Sequence, residues 1–361
     1  MTDIYMKIPE YIKAVSDSLY CSGNNLRLRK ALEKKKVSLV FAGGSITKGW
    51  DGTKHLEKNY TDYITDYLRE KYIGSTFEKH NLSTESANSF IGLSITDKVR
   101  EEVSPDIVFI EYAVNNECGH EYIVSYESLV RRMLSLPSEP AVVLVFLISR
   151  SLYTSQGYMK RIGNHYGLIS VSVADSMKNM LDNGFSWSVY SDDMIHRNPW
   201  GHRFIADCLI NSFEQVLSRE EDSEYSVPAV LYSHDYADYR TCSCSDVSYE
   251  GFEKILCPEY GEFFSSGLSM KHGEKAASVS FEGKFRTLFT AFVHDKTDRF
   301  SDADIYIDGE KKAILQGRSI YGWGNVTLKN VISFDTAENH KVELKVRDTK
   351  KEFVFIEFGI S

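Results

Sequence analysis

The sequence predicts a two-part protein: a three-layer α/β domain with a mainly parallel sheet, followed by an antiparallel β-sandwich. Three observations predict it. Near-continuous apolar runs alternate with amphipathic stretches up to residue 217, and a charged stretch ending at Pro228 then breaks the pattern. Beyond it, apolar and polar residues alternate with no convincing helix.

The runs "VSLVFA" (37–42), "DIVFIEYA" (106–113), "AVVLVFLI" (141–148) and "GLISVSVA" (167–174) are near-continuous in Val, Ile, Leu and Phe, as expected of strands buried on both faces. Helices on both sides are then required. "LEKNYTDYITDYLREKYI" supplies one, with Leu56, Tyr60, Tyr63, Ile64, Tyr67, Leu68 and Ile73 on roughly one helical face. Residues 121–134 and 199–217 behave alike, and 1–35 is read as a helical lead-in to a domain spanning 36–217. "SREEDSEYSVP" (218–228) reads as a linker. Within 229–361, "KAASVSFEGKF", "RTLFTAFVHD", "ADIYIDGEKKAIL", "NVTLKNVISF" and "HKVELKVRD" have strand periodicity, and Asp308-Gly309 marks a hairpin.

Composition narrows the function classes. A chain of 361 residues exceeds the usual single domain, and 42% apolar with 26% charged residues is the balance of a globular protein. With 42 basic against 51 acidic residues the net charge is −9, so no nucleic-acid partner is expected. "MTDIYMKIPEYIKAV" carries charges where a signal peptide needs an apolar core, and the longest apolar run (141–148) is too short to span a bilayer. No membrane partner and a cytoplasmic location are expected. The six cysteines are scattered and read as free thiols; Cys242-Ser-Cys244 has no second Cys or His pair near it in sequence to complete a metal site.

The chemistry starts at "LVFAGGSITKG" (39–49). Gly43-Gly44-Ser45 stands where the first long strand ends, the edge at which parallel sheets gather ligands. A phosphate loop needs Lys and Ser or Thr where Trp50 and Asp51 stand, G-x-G-x-x-G finds no match, and the nucleophile elbow G-x-S-x-G needs a glycine at Thr47. A helix-capping serine or a serine nucleophile of another local design remains. A nucleophile needs a base, and the base needs an orienting group. "SDDMIHRNPWGH" offers both: Asp193 lies three residues before His196, a spacing at which the carboxylate can fix the imidazole tautomer and leave Nε2 for Ser45. Asp192 and His202 are the decoys, His202 being expected as a partly exposed helix residue. Asn115 and Asn116, after "DIVFIEYA", are candidate side-chain donors to an oxyanion or simply a turn.

"AGGSITKG", "DIVFIEYAVNNE" and "DDMIHRNPWGH" resemble the first, third and last blocks of the SGNH (GDSL-like) hydrolases, in the branch whose first block reads GGSIT. The resemblance covers about residues 25–215, with "GNNLRLRKALEKKK" like the lead-in helix. It implies a flavodoxin-like α/β/α fold with Ser45 as nucleophile and oxyanion donor, Asn115 as side-chain donor, Asp193 as orienter and His196 as base. Asn115 is preferred because it takes the Asn of the family's Asn-Asp pair, Asn116 replacing the Asp. The second block departs: "NLSTESANSFIG" has Ser86 where the family has a glycine that offers its backbone N–H.

Several carbohydrate esterases of this superfamily carry a jelly-roll module, so the sandwich favours an acetylated sugar or oligosaccharide as substrate. Tyr321 and Trp323, among glycines in "RSIYGWGNV", are candidate sugar-stacking residues, ordinary packing being the alternative. The leading expectation is a serine esterase acting on O-acetylated carbohydrate through an acyl-enzyme, with no metal and no cofactor. A sugar O-acyltransferase with the same triad and a sugar-binding protein with a degenerate site are the rivals. A homo-oligomer is compatible with either.

Overall fold

The computed structural model describes residues 8–257, 264, 266–271, 273–320 and 322–361, the Glu101 side chain excepted. Its chain falls into two compact units, Met1–Ser233 and His234–Ser361. In the first, six strands form one sheet: β1 Leu19–Cys21, β2 Lys36–Gly43, β3 Thr76–Asn81, β4 Ile107–Glu111, β5 Ala141–Phe146 and β6 Ile169–Ser172, in the order β1-β6-β5-β4-β2-β3. All pairings are parallel except β1 with β6. The strand order reverses at β2, whose neighbours are β3 on one side and β4 on the other. That crevice is where a doubly wound sheet offers a site beyond its carboxyl ends.

Helices cover both faces. Helix α10 (Pro199–Ser218) packs on α4 (Tyr60–Lys71) and α1 (Pro9–Ser16), while α5 (Ser89–Lys98) packs on α6 (His120–Leu134), which also meets α7 (Gln156–His165). The four central strands are buried nearly throughout because each faces two helical layers; Phe41 of β2 and Phe109 of β4 stack with centroids 4.5 Å apart. Several helix starts are set by side-chain caps. Asn59 and Asp62 form a capping box on α4, Asn88 accepts from the amides of Phe90 and Ile91 on α5, and Asn198 accepts from Gly201 ahead of a helix that opens on Pro199.

Two features of this unit differ from the sequence reading. The lead-in holds more than helix: besides α1 and α2 (Leu26–Leu32), it gives the sheet its edge strand β1. The charged stretch read as a linker is fixed to the first unit. Asn25 and Asp222 exchange hydrogen bonds of 2.8 and 2.9 Å, Arg131 donates to the Pro228 carbonyl at 2.7 Å, and the buried Glu127 carboxylate accepts the amides of Leu231 (2.6 Å) and Tyr232 (2.8 Å).

In the second unit the described strands are antiparallel. β11 (Ser278–Asp295) and β14 (Trp323–Val346) pair along nearly their whole lengths, with register shifts that mark where they bend. β11 also pairs with β8 (Ser248–Glu250) at one end and β15 (Val354–Ile360) at the other, so one strand serves two parts of a folded-over sheet. β12 (Ala303–Ile307) and β13 (Glu310–Leu315) form the hairpin turned by Asp308 (φ 54°) and Gly309 (φ 81°), as Asp-Gly foretells. Phe292, Phe353 and Phe355 lie at no more than 1% exposure in the enclosed core, and Cys242 and Cys244 are buried beside them. Among the described residues, no helix is long and apolar enough to cross a membrane.

Candidate functional site

The parallel register brings the site together. Gly43 of β2 pairs with Glu111 of β4, so the segments leaving these strands, Gly44–Lys48 and Tyr112–Asn116, emerge side by side. Ser45 opens α3 (Ser45–Lys48), one turn ended by Gly49 at φ 96°; Gly44 is the N-cap, and the Ser45 side chain makes no cap hydrogen bond. The hydroxyl turns instead to His196: Oγ lies 3.0 Å from Nε2, and Ser45 is 7% exposed.

His196 is held from behind. Its Nδ1 is 2.7 Å from Asp193 Oδ2, while Asp193 Oδ1 accepts the backbone amides of Ile195 and His196, both at 2.6 Å. A three-residue spacing suffices because the carboxylate folds back on its own turn. Burial pushes the Asp193 carboxyl up, but the imidazole and the two amides outweigh it and hold it below its ordinary range. Gly52, at φ 101°, lies against this carboxylate: a Cβ there would stand 2.6 Å from Oδ2.

Asn115 and Asn116 part company. The Asn115 side chain is half-buried, has no hydrogen-bond partner, and lies against the nucleophile turn: a Cβ on Gly44 would come within 2.9 Å of its Nδ2. Its amide is an open donor. Asn116 is fully buried and committed, its Oδ1 accepting from the Ser89 amide (2.8 Å) and its Nδ2 donating to Ser89 Oγ (2.8 Å) and Tyr158 Oη (2.9 Å). Ser86 stands in the loop before α5 at φ 54°, the left-handed region that favours glycine. That loop is tied to the nucleophile segment through the Thr84 amide on the Gly43 carbonyl (3.3 Å) and the Lys48–Glu85 ion pair (2.7 Å).

The decoys stand apart from this chain of contacts. Asp192 is exposed and accepts a hydrogen bond from Asn198. His202 lies on α10 as expected but is completely buried rather than partly exposed, because α10 presses it against α4, where Nδ1 accepts the Tyr60 amide at 3.4 Å and the ring stacks on Tyr60. Burial, with Arg197 nearby, drives it down to about 3, so it is neutral at physiological pH. In the second unit Trp323 is 53% exposed, its amide bonded to Asn325 Oδ1 (3.0 Å); Tyr321 lies outside the described residues.

Sequence reasoning passed over Glu111, the last residue of β4. Its buried carboxyl accepts from Thr47 Oγ1 at 2.9 Å. Burial pushes it up to about 7 despite the Thr47 hydroxyl, the Arg197 guanidinium and a weaker contribution from the Gly44 amide. The signal was in plain view: one carboxylate ending a strand that is otherwise all apolar from Ile107.

No family model matches the chain, and neither does any curated protein sequence. Among solved structures, it is similar to a two-domain esterase (CEX) active on acetylated mannans, with 22% identity, a TM-score of 0.88, and coverage of 96% of this chain and 98% of the other. The same esterase co-crystallised with mannopentaose gives 22% identity, a TM-score of 0.86 and coverage of 96% and 97%. At this identity the likeness is one of fold. The chain shares the fold of that two-domain esterase.

Proposed function

We propose that the protein is a serine esterase that removes O-acetyl groups from carbohydrate, oligosaccharides in particular, through an acyl-enzyme on Ser45. The observation that carries this reading is the unbroken chain from Ser45 Oγ to His196 Nε2 and from His196 Nδ1 to Asp193. A buried hydroxyl needs one partner, whereas a nucleophile needs a base whose tautomer is fixed, and this arrangement supplies both.

Ser45 Oγ attacks the acetyl carbonyl as its proton passes to His196 Nε2. The negative charge forming on the carbonyl oxygen is met by the free Asn115 amide, with the backbone N–H groups of Ser45 and Ser86 as further donors. Collapse breaks the bond to the sugar oxygen, which leaves with the proton from Nε2, and the acetyl group stays on Ser45 Oγ. Water then attacks, giving its proton to the same nitrogen; the acetyl–serine bond breaks, Nε2 returns that proton to Ser45 Oγ, and acetate is released. Asp193 stays ionised throughout and stabilises the imidazolium. This sequence uses side chains and amides of the chain itself.

Carbohydrate is favoured as the leaving group by the fold shared with an esterase active on acetylated mannans, and exposed Trp323 offers a face on which a sugar can stack. Acetate release from acetylated manno- and xylo-oligosaccharides tests the reading. Release by the wild type that disappears in Ser45→Ala supports it; equal release by both, or none from any acetylated sugar, overturns it.

A further inference from the structure

We propose that Glu111 is a positioning residue for the nucleophile: through Thr47, its buried carboxyl fixes the turn that presents Ser45. This inference rests on the reading of Ser45 as a nucleophile.

Glu111 is the register partner of Gly43, so its side chain leaves β4 beside the turn that begins one residue later. Oε2 accepts from Thr47 Oγ1 at 2.9 Å, and Thr47 Oγ1 in turn takes a hydrogen bond from Tyr60 Oη at 2.8 Å. Three side chains, each at most 1% exposed, thus bridge β4, the nucleophile turn and α4. Thr47 is the pivot, two residues beyond Ser45. The strand leaves no slack around it, because a Cβ on Gly43 would collide with the Thr47 side chain and stand 2.9 Å from the Glu111 carbonyl oxygen. The Ser45 hydroxyl that meets His196 at 3.0 Å is therefore carried on a turn pinned from beneath.

Stability alone gives no reason for a carboxyl at this place. Oε1 is buried with no hydrogen-bond partner, and no ion pair reaches Glu111 among the described residues. Arg197, the cation it senses, is engaged instead by the carbonyls of Ile195 and Ile148. An apolar residue of similar size is commonly neutral or stabilising at such a position. What an apolar residue cannot do is accept the Thr47 hydrogen, which makes the acceptor the part that matters.

The test follows inactivation of the enzyme by a serine-directed phosphonate, alongside kcat and KM on an acetyl ester, in Thr47→Val, Glu111→Leu, Glu111→Gln and the Val–Leu double variant. Thr47→Val and Glu111→Leu are expected to slow phosphonylation and kcat by about tenfold or more, with KM little changed, since a small misplacement of a reacting group is costly. Glu111→Gln, whose amide oxygen still accepts from Thr47, is expected within about threefold of the wild type, and the double variant should be no slower than the slower single one. Thr47→Val reacting at the wild-type rate, or Glu111→Gln as impaired as Glu111→Leu, overturns the inference. If Glu111→Leu fails to fold, Thr47→Val and Glu111→Gln decide. A wild type inert both to the phosphonate and on acetyl esters overturns the nucleophile reading itself, and this inference with it.

Discussion

Ser45 and His196 lie 151 positions apart in sequence, yet Oγ and Nε2 are 3.0 Å apart. The contact depends on Asp193, which holds the imidazole by Nδ1 and the turn by two backbone amides. Asp193→Asn should lower kcat by roughly three to four orders of magnitude, because an amide can select the wrong tautomer, while KM changes little. Steady-state kinetics on an acetyl ester checks this; a loss of less than about tenfold would mean the carboxylate is dispensable.

The two neighbouring asparagines should fail in different ways. Asn115→Ala removes a donor with no other partner and is expected to cut kcat by about 100- to 1000-fold while leaving thermal stability nearly intact. Asn116→Ala strips the Ser89 amide and Tyr158 of a buried partner and should cost about 1–3 kcal/mol of stability. Kinetics and thermal melts on both variants separate the roles, and the opposite pattern would exchange them.

Gly44 is predicted to tolerate no side chain. A methyl group there stands 2.9 Å from Asn115 Nδ2 and must displace the amide. Gly44→Ala should lower kcat by about tenfold or more with KM little changed. Ser86→Gly, by contrast, should keep kcat within about twofold, since glycine adopts φ 54° without strain and retains the backbone N–H.

Stability should carry two opposed pH dependences. Glu111 titrates at about 7 against an ordinary 4.5, so folding favours its neutral form: its contribution is full below pH 4.5 and is lost as pH rises through about 7. The whole effect is at most about 3 kcal/mol. His202, lowered from 6.5 to about 3, acts the other way: its contribution is present above pH 6.5 and is lost as pH falls toward 3. Denaturant midpoints at pH 5 and pH 8 should show Glu111→Gln gaining stability relative to the wild type at the higher pH, and His202→Asn relatively favoured at the lower. Parallel curves for all three proteins would contradict this assignment.

What the sequence made legible follows from physical chemistry. The central strands were readable because a strand between two helical layers is apolar at nearly every position, and the Asp308-Gly309 hairpin because positive φ selects its residues. β3, "TFEKHN", was passed over because an edge strand is partly wet and shows no apolar run; β1 is three residues long. The Asp193-x-x-His196 spacing carries its own geometry. The commitment of Asn116, the complete burial of His202, the anchoring of 231–233 by Glu127 and the grip of Glu111 on Thr47 arise from contacts between distant segments, which no local pattern displays.

The most direct measurement is the covalent state of Ser45 during turnover. Acid-quenching the protein with an acetyl ester and mapping peptides by mass spectrometry should place an acetyl group on the Ser45 hydroxyl, formed and lost at rates compatible with kcat. Steady acetate release with no adduct on Ser45 at any time, matched by full activity in Ser45→Ala, would contradict the account.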